Sequence, residues 1–208
     1  MKTRSELVTE FRDWIDQPHT AIVGSTYANR EINRAYKQLI GVINEWNYRF
    51  YFTTASISTT ASTAYVAVPT ASVMINKIVD SDGYTLAHRD IERFNLSLDN
   101  GEPDAWDTAG RRIYFTPTPD AIYTYTCYHT YMPVDFAGDS STPEFVPGYE
   151  GLIAIKAALN SKLIRDEQLQ ELAAVEYAEG MKSLRHVVMT QQTASGFRVI
   201  PSEADLGD

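Results

Sequence analysis

The chain has 208 residues, with 27 Asp and Glu against 18 Lys and Arg, and so a formal net charge of -9 at pH 7. An acidic protein repels phosphate backbones unless its basic residues cluster, and because no run of them does, direct nucleic-acid binding is disfavoured. The single cysteine excludes an internal disulfide, which is typical of a reducing compartment.

The first region predicts two helices. TRSE, residues 3–6, is a capping box, in which the Thr hydroxyl and the Glu carboxylate satisfy amides left unpaired at a helix start. Pro18 ends this helix, and a longer one is predicted over residues 27–46. The first helix has a buried apolar stripe of Leu7, Val8, Phe11, Trp14 and Ile15. The apolar face of the second contains Ile32, Ala35, Tyr36, Leu39, Ile43 and Trp46.

The second region is predicted to be mostly β structure. No charged residue occurs over 50–76, where short runs of β-branched and aromatic residues alternate with turn residues. The sequence DSDG, residues 80–83, lacks the later ligands of a calcium loop and predicts a hairpin turn. A short helix is predicted over 88–96. Strands are predicted at 49–59, 64–68, 74–80, 84–87, 112–116 and 122–131.

The third region predicts a helical hairpin, followed by a tail without periodicity. Leu152, Ile155, Leu159 and Leu163 form the apolar stripe of its first helix. Asp166 is placed to cap the second helix. The stripe of that helix consists of Leu169, Leu172, Tyr177, Met181, Leu184 and Val188.

Together these patterns predict an α+β fold. The two terminal helix pairs, residues 1–48 and 148–189, form one discontinuous helical bundle. An antiparallel β sandwich or barrel, residues 49–147, is inserted between them. Residues 190–208 form an extended C-terminal tail that carries Phe197, Val199 and Ile200 in an otherwise polar segment. Such apolar residues anchor a partner or pack on their own domain, and we favour the partner.

Cys127 and His129 raise the question of catalysis or metal binding. In a strand over 122–131 they share a face with Tyr123, Tyr125 and Tyr131, an alternation typical of a half-buried strand. Neighbours at i and i+2 have Cβ atoms about 6–7 Å apart, too far for a nucleophile and its base. The other three histidines lie in unrelated segments, so no zinc ligand set is predicted.

The loop before the third region contains four carboxylates: Asp135, Asp139, Glu144 and Glu150. A pair of them resembles the acid and nucleophile of a glycosidase. In an acidic protein such loop carboxylates are usually solvated, so we predict no catalytic residue and no cofactor.

Three blocks of sequence resemble the head-to-tail adaptor, or connector, proteins of tailed bacteriophages. The first is YANREINRAYKQLIGVINEWNYRFYFTTASIST, residues 27–59, and the second is GEPDAWDTAGRRIYFTPTPDAIYTYTCYHTYMP, residues 101–133. The third is PEFVPGYEGLIAIKAALNSKLIRDE, residues 143–167, whose FVPGYEG departs from the commoner Leu-Pro start of that helix. Each block is loose alone, but their order and spacing are similar to those of the family across residues 27–189.

The resemblance implies a structural virion protein that is not an enzyme. It implies a ring, usually dodecameric, that docks beneath the portal protein, lines the channel through which DNA passes without specific binding, and provides the platform for tail or nozzle proteins. The tail would bind the portal through Phe197, Arg198, Val199 and Ile200. Such a protein is made in the host bacterial cytoplasm and resides in the virion neck.

Two alternatives remain open at this point. One is a virion-associated cell-wall hydrolase that uses the loop carboxylates, and the other is a neck or tail interaction protein that does not bind the portal. The N-terminal sequence MKTRSELVTEF lacks the apolar core of a signal peptide, and no apolar stretch approaches the ~20 residues of a membrane span. No membrane association is therefore predicted.

Overall fold

The computed structural model describes residues 1–16, 23–90, 92 and 100–196, and only the backbone of 191–196. The protein is mixed α and β, and its described residues form two compact units. The helical unit comprises those of Met1–Phe50 and Pro133–Asp208, and the β unit comprises those of Tyr51–Met132. The structure therefore groups residues 133–147 with the helices, whereas the sequence grouped them with the strands.

The described part of the helical unit contains α1 (Arg4–Trp14), α2 (Ser25–Trp46), α3 (Gly151–Ser161) and α4 (Glu167–Gly196). The capping box of α1 is confirmed, because the Thr3 hydroxyl accepts from the Glu6 N–H and Glu6 Oε2 accepts from the Thr3 N–H at 2.6 Å. α1, α2 and α3 contact one another, and α4 contacts α2 and α3. The bundle geometry itself stays a prediction.

Most of the predicted apolar stripes are buried, but some of their members are not. Trp14 and Trp46 are half-buried, and the guanidinium of Arg185 lies 5.9 Å from the Trp46 ring centroid. Leu172, predicted as part of the α4 stripe, is half exposed, so its assignment to a buried face is wrong. The buried residues of α4 up to Met189 are Ala173, Leu184 and Val188.

The two C-terminal helices are joined as the sequence predicted. Lys162 adopts a left-handed conformation (φ 56°) that ends α3. Asp166 Oδ1 accepts from the backbone N–H of Gln168 at 2.8 Å, which confirms the predicted cap of α4.

The extended tail predicted from residue 190 is wrong for residues 190–196, because α4 continues to Gly196. The polar residues there have modest helix propensity, but a helix already nucleated adds further residues at little cost until a breaker intervenes. Residues 197–208 lie outside the described part of the chain.

The described part of the β unit forms three sheets. Their orders are β1-β9-β3, β2-β7-β6-β4 and β5-β8. The strands are β1 (Phe52–Ser58), β2 (Tyr65–Ala67), β3 (Ser72–Val79), β4 (Ala87–His88), β5 (Asn100–Gly101), β6 (Ala105–Ala109), β7 (Arg112–Thr116), β8 (Thr118–Pro119) and β9 (Thr124–Tyr131). The longer pairings are antiparallel, but β4–β6 and β5–β8 are short parallel pairings, which the predicted all-antiparallel arrangement did not include.

Residues of the two larger sheets contribute to one apolar core. β9 lies between β1 and β3, in register from Phe52↔Thr130 to Ser58↔Thr124 on the β1 side. The core consists of Ile57, Ile78, Leu86, Trp106, Ile113, Phe115, Tyr125 and Cys127. Whether the sheets close as a barrel stays a prediction.

Two local predictions in this unit have different outcomes. Asp80 Oδ1 accepts from the N–H groups of Asp82 and Tyr84 at 2.9 and 2.8 Å, and Gly83 has φ +93°, so the predicted turn at 80–83 is confirmed. The short helix predicted over 88–96 is wrong at its first residue, because His88 belongs to β4 and pairs with Trp106 of β6. Residues 91 and 93–96 of that predicted helix lie outside the described part of the chain.

Candidate functional site

Cys127 and His129 lie on the inward face of β9. Cys127 is 0% exposed in the apolar core, and burial raises the pKa of its thiol to about 11. A thiol with a raised pKa is rarely ionised and is a poor nucleophile at neutral pH. The predicted alternation is confirmed from Thr124 to His129 but is wrong at the end of the strand, where Thr130 is 1% exposed and Tyr131 is half-buried. The position of Cys127 is that of a core side chain.

His129 is 3% exposed, and burial lowers the pKa of its imidazole because desolvation disfavours the charged ring. Its Nδ1 has no hydrogen-bond partner among the described residues. We infer that His129 is neutral in the folded protein, as a packed strand residue is expected to be.

A pH dependence of stability follows from the lowered pKa of His129. At pH values between the lowered pKa of the folded state and the ordinary value near 6.5, His129 is protonated in the unfolded chain but not in the folded chain. The free energy of unfolding therefore falls as the pH is lowered through this range. We expect His129→Gln to reduce that dependence in urea unfolding measured between pH 7.5 and 5. His186→Gln, at an exposed helix position, is the matched control, and equal pH slopes for all three proteins would contradict the assignment.

The loop carboxylates do not converge on one site. Asp135 pairs with Lys37 of α2 at 3.0 Å, and Asp139 pairs with Arg4 of α1 at 2.6 Å. Glu150 is buried, and its Oε2 accepts from the Gly148 N–H at 2.9 Å. Asp135 and Asp139 therefore link the loop to α2 and α1, whereas Glu150 bonds within the loop.

The loop is also fixed to α2 through its backbone. The Tyr36 hydroxyl donates to the Glu144 carbonyl oxygen at 3.2 Å and accepts from the Glu144 N–H at 3.1 Å. Asn33 Oδ1 accepts from the Phe136 N–H at 3.1 Å. A cavity of about 370 Å³ remains between the loop and Tyr36. This cavity was not predicted from the sequence, although the apolar residues Phe136, Phe145 and Val146 indicate that the loop packs.

The described residues offer neither a metal centre nor a membrane span. No group of three or more His, Cys, Asp or Glu side chains is arranged to hold a metal ion among them. Within the same part of the chain, every helix is too short or too polar to cross a bilayer.

The β unit exposes clusters of aromatic and cationic side chains. On the β1-β9-β3 sheet the rings of Phe52 and Tyr128 stack at 5.8 Å, and Lys77 Nζ lies 4.4 Å from the centroid of Tyr128. On the other large sheet the guanidinium of Arg112 lies 4.1 Å from the centroid of Tyr65. Tyr and Arg are enriched at the energetic centres of protein interfaces, so these surfaces are candidates for partner contacts.

Large apolar side chains are also exposed on both units. They are Leu172, Val175, Met189 and Val134 in the helical unit, and Phe52, Tyr65, Val73, Met74, Tyr84 and Ile122 in the β unit. Several lie in the region 50–76, which contains no charged residue. Grouped exposed apolar residues are typical of protein–protein contacts.

The predicted portal-binding residues Phe197, Arg198, Val199 and Ile200 lie outside the described residues. The structure describes the chain up to Gly196, the last residue of α4, which directly precedes them. Their role stays a prediction.

Comparison with known proteins identifies the family. No curated protein matches the chain. The model of the SU10 adaptor protein family matches residues 2–200, which is nearly the whole chain and includes both units. The resemblance to phage head-to-tail adaptors is thereby confirmed, and the chain belongs to the SU10 adaptor protein family.

Proposed function

We propose that the chain is a head-to-tail adaptor that assembles as a dodecameric ring beneath the portal protein in the virion neck. In this role it lines the DNA channel and provides the platform to which the tail or nozzle proteins attach. The observation that carries the proposal is the family match over residues 2–200.

The net charge of the chain supports its proposed role in lining the DNA channel. With a net charge of -9 the chain has no overall attraction for the phosphate backbone, so DNA is able to pass without being retained. Exposed apolar side chains on both units support assembly, because a closed ring of identical copies requires two different contact faces on each copy.

The portal contact is assigned to the segment that follows α4. Phe197, Val199 and Ile200 are three apolar residues within four positions, with Arg198 between them, and the polar sequence that follows ends in acidic residues. A short apolar segment beyond the end of a helix is suited to insert into a groove on a partner. Multiplied around a ring, even a weak contact of this kind gives tight attachment.

The mass of the purified protein, alone and after mixing with the cognate portal ring, tests the proposal. We expect the chain to join the portal as a ring of many copies, measured by multi-angle light scattering. If it stays free when portal is present but binds isolated tail components, the neck or tail protein that does not bind the portal is the better description.

Removal of residues 197–208 is expected to weaken portal binding at least about 100-fold, since the loss of buried anchor residues at an interface costs about 2 kcal/mol or more each. The circular dichroism spectrum of the truncated protein is expected to match that of the full chain. The matched control removes only residues 201–208 and leaves the four proposed contact residues in place. Equal portal affinity of the two truncated proteins would refute the tail assignment.

No observation favours the hydrolase. Asp135 and Asp139 form ion pairs, Glu150 is buried, and the backbone of Glu144 is bonded to Tyr36. Peptidoglycan turnover that is lost on Glu144→Gln or Glu150→Gln would reinstate it.

A further inference from the structure

The β unit contains a cavity of about 540 Å³, lined by residues of β3, β4, β6 and the β6–β7 turn. Proteins bind ligands in cavities of about 300–1,000 Å³. The apolar part of its wall consists of Val68, Val73, Met74 and Ile75. Val73 and Met74 are 56% and 43% exposed, so this part of the wall is open to a partner. We call this site the β cavity.

The wall of the β cavity includes the guanidinium-bearing residue Arg111 and no described Asp or Glu. Arg111 forms no ion pair with any residue in the described ranges. The other basic residue of the wall, His88, is bonded to Asp107 at 3.0 Å. Arg111 is therefore available to bind a carboxylate that enters the cavity, and guanidinium–carboxylate hydrogen bonds are among the strong ones.

The backbone holds Arg111 in place. Ala109 pairs with Arg112 at the end of the β6–β7 hairpin. Gly110 and Arg111 form its two-residue turn, and Gly110 has the positive φ (+61°) that such turns favour at their first position. The Arg111 carbonyl oxygen accepts from the Val68 N–H at 3.1 Å. A backbone held in this way loses little conformational freedom when a ligand binds.

Two buried polar atoms of the residues that line the β cavity lack a hydrogen-bond partner. Trp106 is 3% exposed, and its indole Nε1 has no partner among the described residues. The same holds for the hydroxyl of Ser72. A buried donor left unpaired is destabilising. A carbonyl oxygen seated in the cavity would accept from the indole N–H, so the wall is suited to a peptide.

The strand β3 offers backbone groups beside the β cavity. It is an edge strand, because within its sheet it pairs only with β9. From Val73 to Lys77 it forms no backbone hydrogen bond beyond that pairing within the described part of the chain. Extended segments bind to such edges, where backbone bonds give affinity and neighbouring pockets give specificity. The edge, the apolar wall and the unpaired cation together fit an extended segment that carries a large apolar side chain beside Asp or Glu.

We propose that the β cavity binds an extended acidic segment of a tail or nozzle protein, with the apolar side chain of the segment against Val73 and Met74 and its carboxylate on Arg111. This inference rests on the proposed function and names the site by which the platform holds its partner. The partner is assigned to the tail because a platform for tail proteins requires a site that binds them, and the β cavity combines a free strand edge, an unpaired donor and an unpaired cation.

The fluorescence of Trp106 tests the site, because Trp106 is part of the cavity wall. The full chain with Trp14→Phe and Trp46→Phe retains Trp106 as its one tryptophan. It is titrated with short overlapping peptides that cover the cognate tail and nozzle proteins. We expect the emission to change with a peptide that carries a large apolar residue beside Asp or Glu. The same peptide with Asn or Gln in place of that acid is expected to bind at least about tenfold more weakly.

Substitutions in the wall give the second readout. Arg111→Gln is expected to weaken peptide binding at least about tenfold, and so is Val73→Asp, which adds a carboxylate that repels the segment. The matched controls are Arg112→Gln and Ile122→Asp. Arg112 packs against Tyr65, Ile122 is 75% exposed, and neither lines the cavity. Equal peptide affinity of Arg111→Gln and Arg112→Gln, or a peptide set that leaves the Trp106 emission unchanged, would overturn the inference.

Two further outcomes would assign the β cavity to another occupant. A Trp106 emission that changes on removal of residues 201–208 would indicate the chain's own C-terminal segment, and one that changes with protein concentration would indicate a second copy. Either result overturns the assignment to a tail or nozzle protein. These measurements do not involve the portal, so portal binding by the wild-type chain keeps the proposed ring even when the cavity assignment fails. Failure of the wild-type chain to bind the portal would overturn the ring itself.

Discussion

Replacement of Gly180 by leucine is expected to destabilise the helical unit by about 3 kcal/mol, the upper part of the range for overpacked cores. Even a Cβ at Gly180 would clash with Leu152 Cδ2 and would lie 3.3 Å from its Cγ. Leu152 is buried in α3, so it has little room to move. For Gly180→Ala the gain in helix propensity of about 1 kcal/mol offsets part of the clash, and we expect a net loss of about 1 kcal/mol. Urea unfolding followed by circular dichroism measures both.

A double-mutant cycle identifies the clash as the cause. Leu152→Ala alone is expected to cost about 2–5 kcal/mol, and the double variant Gly180→Ala with Leu152→Ala is expected to cost less than the sum of the single changes by at least about 0.5 kcal/mol. Gly41→Ala on α2 is the matched control, because a Cβ there meets nothing within 4 Å, and it should stabilise the protein by up to about 1 kcal/mol. A neutral Gly180→Leu would show that the two helices are not closely packed at this point.

The features that the sequence predicted well depend on residues close together in the chain. The capping box at Thr3 and Glu6, the cap at Asp166 and the bounds of β7 all follow from short patterns. The alternation in β9 likewise predicted that Cys127 and His129 lie on a buried face, although Thr130, on the opposite face, is buried as well. Local propensity and period suffice for such features because the interactions that cause them span only a few residues.

The features that the sequence did not predict depend on distant partners. Residues 133–147 contain no regular period. They are nevertheless placed with the helices, because they are bound by four residues of α1 and α2: Arg4, Asn33, Tyr36 and Lys37. The parallel pairing of Ala87 and His88 with β6 is another contact between distant segments. Leu172 shows the converse error, because helical spacing alone does not reveal whether a neighbour covers the residue.

Only part of the candidate site could be predicted from the sequence. The family followed from the order of three loose motifs. Exposed apolar residues such as Val73 and Met74 were not predicted. The cavity beside Tyr36 was not predicted, since it depends on the fold of the 133–144 loop. A surface that binds a partner consists of residues that the folded chain leaves exposed. The periodic pattern of a sequence indicates instead which residues the chain buries.

Truncation of Phe115 to alanine is expected to destabilise the β unit by about 3–5 kcal/mol. Phe115 is 0% exposed in the shared core, and its ring stacks on Tyr125 at 5.4 Å with an interplanar angle of 20°. The change removes this stacking and leaves a cavity in the core that the two larger sheets share. Among their described residues, these sheets have no other apolar core that could compensate for the lost stability. The fluorescence of Trp106, in a background of Trp14→Phe and Trp46→Phe, reports urea unfolding of this unit.

Phe52→Ala is the matched control for Phe115→Ala, because it removes the same side chain from the same unit at a position that is 39% exposed. Its ring stacks on Tyr128 at 5.8 Å on the outer surface of the sheet, so we expect a loss below about 1 kcal/mol. If both substitutions cost the same, the core would not be continuous between the sheets. A large difference would show that Phe115 maintains the fold, and it would leave Phe52 available to bind a partner, because a side chain that stability does not require is free to serve an interface.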